Sequence, residues 1–372
     1  MIAATMPIQR PRDAKLLVVD AAGQISHHPR PALATLLAPD DLVVANDAAT
    51  LPASLFGIHI PTGCPIEIRL AARRSLAADD RCFTAVVFGA GDFRTRTEDR
   101  PLPPRLAPGD SLQLGPLRAT VLMLLDHPRL ISLRLAGTAR EILDGLARHG
   151  RPIQYAHLRA PLAMWDTWTP IAGLPLAFEP PSASFVLDWW MLAAFRDRGI
   201  KFATLTHAAG ISSTGDPRLD ARLPFDEPYR ISPSTAALIN DSRSRGARVV
   251  AVGTSVVRAL EDAGREGVVR PGEGLATQTI GAGTSLTIVD ALVSGAHERG
   301  TSHHELLRAF LDDSTLAAID CELEARDYRT HEFGDSVFIE ATIRRSLAST
   351  ADDVVRSCEV RILSDRGIKS AE

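Results

Sequence analysis

Between Gly57 and Gly137 the chain loses its helical periodicity. Five short β-type runs follow one another there: Ile66–Leu70, Phe83–Phe88, Ser111–Leu114, Arg118–Leu125 and Leu130–Leu135. Turn signals such as Pro108-Gly109-Asp110 punctuate them. Strands at this spacing, without a convincing helix among them, predict a small closed β-barrel. The flanking texture is different. Leu16–Asp20, Leu42–Asn46, Phe202–Leu205 and Arg248–Val252 read as buried strands. Helices are expected from Thr138 to Gly150, from about Ser184 to Arg198, from Ser234 to near Gly246, and from Ser255 to Ala263. Thr138 with Glu141 makes a capping box for the first of these. Phe333–Ile339 and Glu359–Leu363 look like late strands. Strands alternating with helices argue for an α/β layer structure. The expected organisation is a discontinuous α/β domain, residues 1–57 plus 138–372, carrying an inserted all-β barrel over residues 58–137.

A chain of 372 residues buries enough apolar surface to fold without disulfides or a structural metal. Its formal charge of −4 advertises no general affinity for nucleic acid. Cys64, Cys82, Cys321 and Cys358 are far apart and form no C-x-x-C pair, which fits a reducing cytoplasm. The strongest apolar run, Val121–Leu125, is far too short to span a bilayer. Lysine occurs only at positions 15, 201 and 369, so candidates for a Schiff-base or general-base lysine are few.

One local pattern carries chemistry. Arg248–Ser255 is a strand running into a glycine turn and then a helix, which aims backbone N–H groups at a carboxylate or phosphate. A plain tight turn is the competing reading. The stretch Gly210–Gly215 has P-loop glycine spacing, but Asp216 stands where lysine is needed. Neither a G-x-S-x-G elbow nor an H-E-x-x-H helix occurs, and the adjacent His303 and His304 point apart on a helix. No metal site is expected. His207 follows a strand, and His297 follows the apolar run ending in Ser294-Gly295-Ala296. Sites collect at strand ends in α/β sheets, although each histidine could equally be a hydrogen-bonded core residue. His27-His28 reads as a solvated turn. Of the Trp189-Trp190 pair, one ring is expected to face the core.

Taken together and in order, these segments resemble the S-adenosylmethionine:tRNA ribosyltransferase-isomerase family of queuosine biosynthesis. Pro11–Val18 resembles its P-x-R-D-x-S-R-L-L-V opening, and Asp41–Asp47 with Leu55-Phe56-Gly57 resembles its D-L-L-V-F-N run. His207 falls on T-L-H-V-G. Arg248–Glu261 resembles R-V-I-A-V-G-T-T-S-V-R-x-L-E, keeping Gly253, Thr254, Arg258 and Glu261. Asp290-Ala291-Leu292 and His297 fall on D-x-L-x-T-N-F-H. Tyr328-Arg329 and Phe333–Ile339 resemble Y-R-F-x-S-Y/F-G-D-A-M-x-I. There are departures. Ala49 and Ser54 replace two arginines, and Val186 replaces a histidine. Pro152–His157 replaces P-L-P-P-Y-I, and Arg222–Glu227 keeps only the glutamate of its motif.

The resemblance implies an enzyme that moves the ribosyl group of S-adenosylmethionine to a 7-aminomethyl-7-deazaguanine base in tRNA, releasing adenine and methionine. It implies an α/β fold with an inserted barrel, a cytoplasmic location, a tRNA anticodon stem-loop as partner, and no metal or membrane. The catalytic candidates are His207, His297, Asp335 and Glu227. The candidates for holding S-adenosylmethionine are Gly253, Thr254, Ser255, Arg258, Tyr328 and Arg329. Two alternatives stay open: a paralogue with a small-molecule acceptor, and a non-catalytic protein that binds S-adenosylmethionine or RNA. Oligomeric state cannot be read from the sequence.

Overall fold

The computed structural model describes residues 1–342, so Cys358 and the expected strand Glu359–Leu363 lie outside the described residues. Nine strands among them make one mixed sheet. Its order is Gly272–Ala276, Glu227–Ile231, Lys201–His207, Leu42–Asn46, Val249–Val252, Ala291–Gly295, Ser336–Glu340, Lys15–Val19, Ile25–Pro29. The four strands from Lys201–His207 to Ala291–Gly295 run parallel. Leu42–Asn46 and Val249–Val252 are buried throughout, because both sheet faces are covered. Alternate residues supply two cores. Leu17, Val44 and Ala251 pack with Ile239 and Leu260 on one face, and Leu16, Val43 and Val250 pack with Met191 and Phe195 on the other.

The barrel is closed and has six strands. The one the sequence reading did not include is Ser54–His59, which pairs with Cys64–Ala72 on one side and Ser111–Leu114 on the other. Gly57 is the reason it can. A Cβ there would lie 2.1 Å from the Gln113 carbonyl oxygen, so closure at this point requires glycine. The same glycine breaks the apolar run that would have marked the strand. Leu55, Ile68, Ala85 and Leu133 share one face of the barrel strands and are buried in one apolar cluster.

Four further expectations change. The helix expected from Ser184 runs from Trp189 to Asp197, because the Asp188 side chain accepts the Met191 amide at 2.6 Å and caps it; Ser182–Val186 form a 3-10 turn instead. Trp189 and Trp190 therefore occupy the first turn, and both rings are exposed, at 73% and 84%, while Met191 and Phe195 fill the core. The next helix, Pro233–Ser244, is capped by Ser232 rather than Ser234. His27 and His28 lie in an edge strand, not a turn, and His27 Nδ1 meets the Tyr328 hydroxyl at 2.8 Å. The Thr138–Glu141 capping box is present as read.

Candidate active site

Three of the parallel strands end at the same edge of the sheet and deliver Gly253, His207 and the segment leading to His297. Gly253 has φ +100°, a conformation glycine adopts without strain, and it turns the chain directly into helix Thr254–Ala263. No side chain caps that helix. The Gly253 amide donates to the Val293 carbonyl and the Val256 amide to that of Gly253, and among the described residues those of Thr254 and Ser255 meet no acceptor and remain for a ligand. They open onto a cavity of about 100 Å³ lined also by Glu227, Arg258, Ser294 and His297.

Beneath that cavity lies a buried polar cluster. Glu227 Oε1 accepts the Gly210 amide at 2.5 Å, and Oε2 is ion-paired with Arg258 Nη1. Three further Arg258 N–H groups are occupied too. Nη2 binds the carbonyls of Ala276 at 2.9 Å and Phe225 at 3.2 Å, and Nε binds that of Gln278 at 3.3 Å. Arg258 thus ties the helix to the neighbouring loops rather than reaching outward as a free anion clamp. His207 Nε2 lies 3.4 Å from Glu227 Oε2. The ring is fully buried, and burial pushes its pKa down to about 4, so it is neutral at pH 7. Its backbone is fixed by Asn46, whose amide side chain bonds both its N–H and its carbonyl at 2.9 Å.

His297 is placed differently. Its Nε2 lies 3.2 Å from Ser294 Oγ, and its ring stacks on His303 at 4.5 Å. Burial first, then the neighbouring histidines His303, His331 and His304, push its pKa well below the ordinary value. A neutral imidazole at the cavity wall can accept a proton or donate a hydrogen bond.

A second chamber, about 590 Å³, opens from the first. Glu179, Ser182, Ser212, His297 and His303 line both. Its outer walls are Tyr155 and His157, Arg96–Glu98 of the barrel, and His331-Glu332. Together the two parts have the size expected of a small-molecule site.

Of the residues singled out from sequence, Gly253, Thr254, Ser255, Arg258, Glu227 and His297 line this cleft. His207 stands behind Glu227 and lines neither chamber. Asp335, Tyr328 and Arg329 are elsewhere. Asp335 is buried and accepts the amides of Lys15 at 2.9 Å and Arg329 at 2.8 Å, plus Arg329 Nη2 at 3.1 Å. These bonds fasten the first long strand to the chain before the last one. Glu261, kept in the same motif as Arg258, accepts the amides of Thr287, Ile288 and Val289 and is a loop clamp. Glu179, Ser212 and His303 were missed. The available signal was a carboxylate directly after the apolar run Leu176-Ala177-Phe178.

The model of the family described as "Queuosine biosynthesis protein" matches residues 1–339. The chain belongs to this family. An S-adenosylmethionine:tRNA ribosyltransferase-isomerase of Anaeromyxobacter dehalogenans is 32% identical over 341 residues, covering 88% of this chain and 93% of the relative. Its counterpart in Thermosynechococcus vestitus is 30% identical, over 90% and 92%. A solved structure of S-adenosylmethionine tRNA ribosyltransferase from Thermotoga maritima is 22% identical and covers 91% of this chain and 96% of that one, with a TM-score of 0.48. For a queuosine biosynthesis protein, the altered motifs gain a location. Tyr155 and His157, from the segment that replaces P-L-P-P-Y-I, stand on the wall of the outer chamber.

Proposed function

We propose that this protein is an S-adenosylmethionine-dependent ribosyltransferase-isomerase acting on a 7-aminomethyl-7-deazaguanine base in tRNA, with release of adenine and methionine. The observation that carries the reading is the cleft at the strand ends, where a helix N-terminus with free amides faces His297 across one cavity. S-adenosylmethionine supplies the ribosyl group when bound. Its carboxylate suits the Thr254 and Ser255 amides, where the helix dipole adds to the two donors. His297, held neutral and oriented by Ser294, handles the proton lost beside the sulfonium or the one gained by departing adenine. Arg258 and Glu227 neutralise each other and hold the floor of the site. The outer chamber, with Arg96 at its rim, receives the acceptor of an anticodon stem-loop. No metal takes part in this scheme, and the cytoplasm is the expected compartment. The barrel, inserted between the two parts of the α/β domain, contributes the rim.

A small-molecule acceptor is the second reading. It is favoured by the polar residues Tyr155 and His157 in the outer chamber, where the family run is P-L-P-P-Y-I. One experiment separates the two. Adenine release from S-adenosylmethionine is measured with modified stem-loop RNA, with a small amine, and with neither. Release only with the RNA supports the first reading, and release with the amine alone supports the second.

A further inference from the structure

Glu179 sits at the junction of the two chambers and is buried, 7% exposed. Its carboxylate accepts the Tyr155 hydroxyl on Oε1 at 2.5 Å and the Ser212 amide on Oε2 at 3.0 Å. Among the described residues no Lys, Arg or His forms an ion pair with it. The charged group that acts on it is a second carboxylate, Glu332, which is paired with His157 at 3.3 Å. The Arg69 guanidinium lies 5.6 Å from the Tyr155 ring. His331 stacks on His157 at 4.1 Å, and His297 and His303 face Glu179 across the cleft.

A buried carboxylate without a cation is costly, and two neutral donors offset only part of that cost. Such a group holds a proton or awaits a cationic ligand. Burial first, then Glu332, push its pKa up to about 7. Each oxygen keeps lone-pair capacity beyond its one hydrogen bond. The cleft is therefore polarised. Its inner end offers amide donors to an anion, and its junction offers an uncompensated carboxylate to a cation.

We infer that Glu179, aligned by Tyr155, is the group that receives the acceptor's primary ammonium and takes its proton before attack. The inference rests on the amine-acceptor reading above. In the step, one N–H bond of R–NH₃⁺ breaks and its electron pair stays on nitrogen. The proton passes to a Glu179 oxygen, giving R–NH₂ and a neutral carboxylic acid. The freed lone pair is then available to the ribosyl carbon. A base whose pKa lies near the working pH suits this transfer, and burial of the ammonium lowers its own pKa toward the same range.

The test compares full-length wild type, Glu179→Gln and Tyr155→Phe. Binding is measured to a stem-loop carrying the aminomethyl-deazaguanine base and to the same stem-loop carrying the uncharged cyano-deazaguanine base. S-adenosylmethionine affinity is measured in parallel. Wild type is expected to prefer the amine, Tyr155→Phe to weaken the preference without abolishing it, and Glu179→Gln to bind both alike with unchanged donor affinity. Adenine release with the aminated RNA is expected to fall about 10²–10⁴-fold in Glu179→Gln. A preference that survives in Glu179→Gln, or is absent in wild type, overturns the inference. So does a loss confined to donor affinity, which would assign Glu179 to the donor's own ammonium. If wild type binds neither RNA, the tRNA reading fails separately. The same comparison with the free aminomethyl and cyano bases then decides the amine site: a preference abolished by Glu179→Gln sustains it, and any other result overturns it.

Discussion

Arg258 and Glu227 form a buried ion pair in which neither partner is free to leave. Glu227 also holds the Gly210 amide, and Arg258 also holds three carbonyl groups. The pair joins the helix after Gly253 to the strand Glu227–Ile231 and the loop around Gly210. It sets the floor on which the cleft is built.

Breaking that pair from one side strands the other charge in the interior. Arg258→Ala is expected to lower stability by about 3–5 kcal/mol. Denaturant unfolding at pH 7 reads it directly. A loss below about 1 kcal/mol would mean the pair is solvated in solution.

Asp335 was selected from sequence as a catalytic candidate, but in the structure it secures Lys15 and Arg329 away from the cleft. Asp335→Asn is expected to cost about 1.5–3 kcal/mol, the scale of a hydrogen bond to a charged group. Adenine release per folded molecule should stay near wild type. A selective loss of rate in a stable variant would return Asp335 to the mechanism.

His297→Ala removes the one histidine that both lines the cleft and was marked by the sequence. Adenine release should fall about 10²–10⁴-fold, with an unchanged melting curve. His207→Gln should instead act on stability. The folded-state pKa of His207 is depressed to about 4, so the folded state resists a proton that the unfolded chain takes up below pH 6.5. Its contribution is fully present above pH 6.5 and is lost as pH falls toward 4. The variant should flatten that acid limb.

Glu179 has the opposite sign. Its folded-state pKa is raised from 4.5 to about 7, so the folded protein keeps a proton that the unfolded chain has released. Stability therefore falls as pH rises from 4.5 through 7, by roughly 3 kcal/mol from this group alone. Glu179→Gln should be more stable than wild type at pH 8 and indistinguishable at pH 4. Unfolding curves at the two values check the difference. Equal stabilities at both would mean that Glu179 is already compensated.

The barrel was legible because its apolar runs are short and its turns are marked by glycine and proline. Its closing strand was not, because Gly57 interrupts the pattern for a reason that lies across the barrel at Gln113. The Gly253 turn was legible because a strand, a glycine and a helix start follow one another along the chain. Glu179 and Tyr155 were not, since 24 residues separate them and only the fold makes them neighbours. Motif retention marked Asp335 and Arg258, and both are buried and hydrogen-bonded. What it could not distinguish is a side chain facing the ligand from one holding the wall.

The most direct measurement is adenine release from S-adenosylmethionine by the purified full-length protein, with and without a tRNA bearing the aminomethyl-deazaguanine base. Release that requires this base, and that disappears in His297→Ala, is the expected result. No release under any condition, although S-adenosylmethionine binds, would contradict the assigned activity.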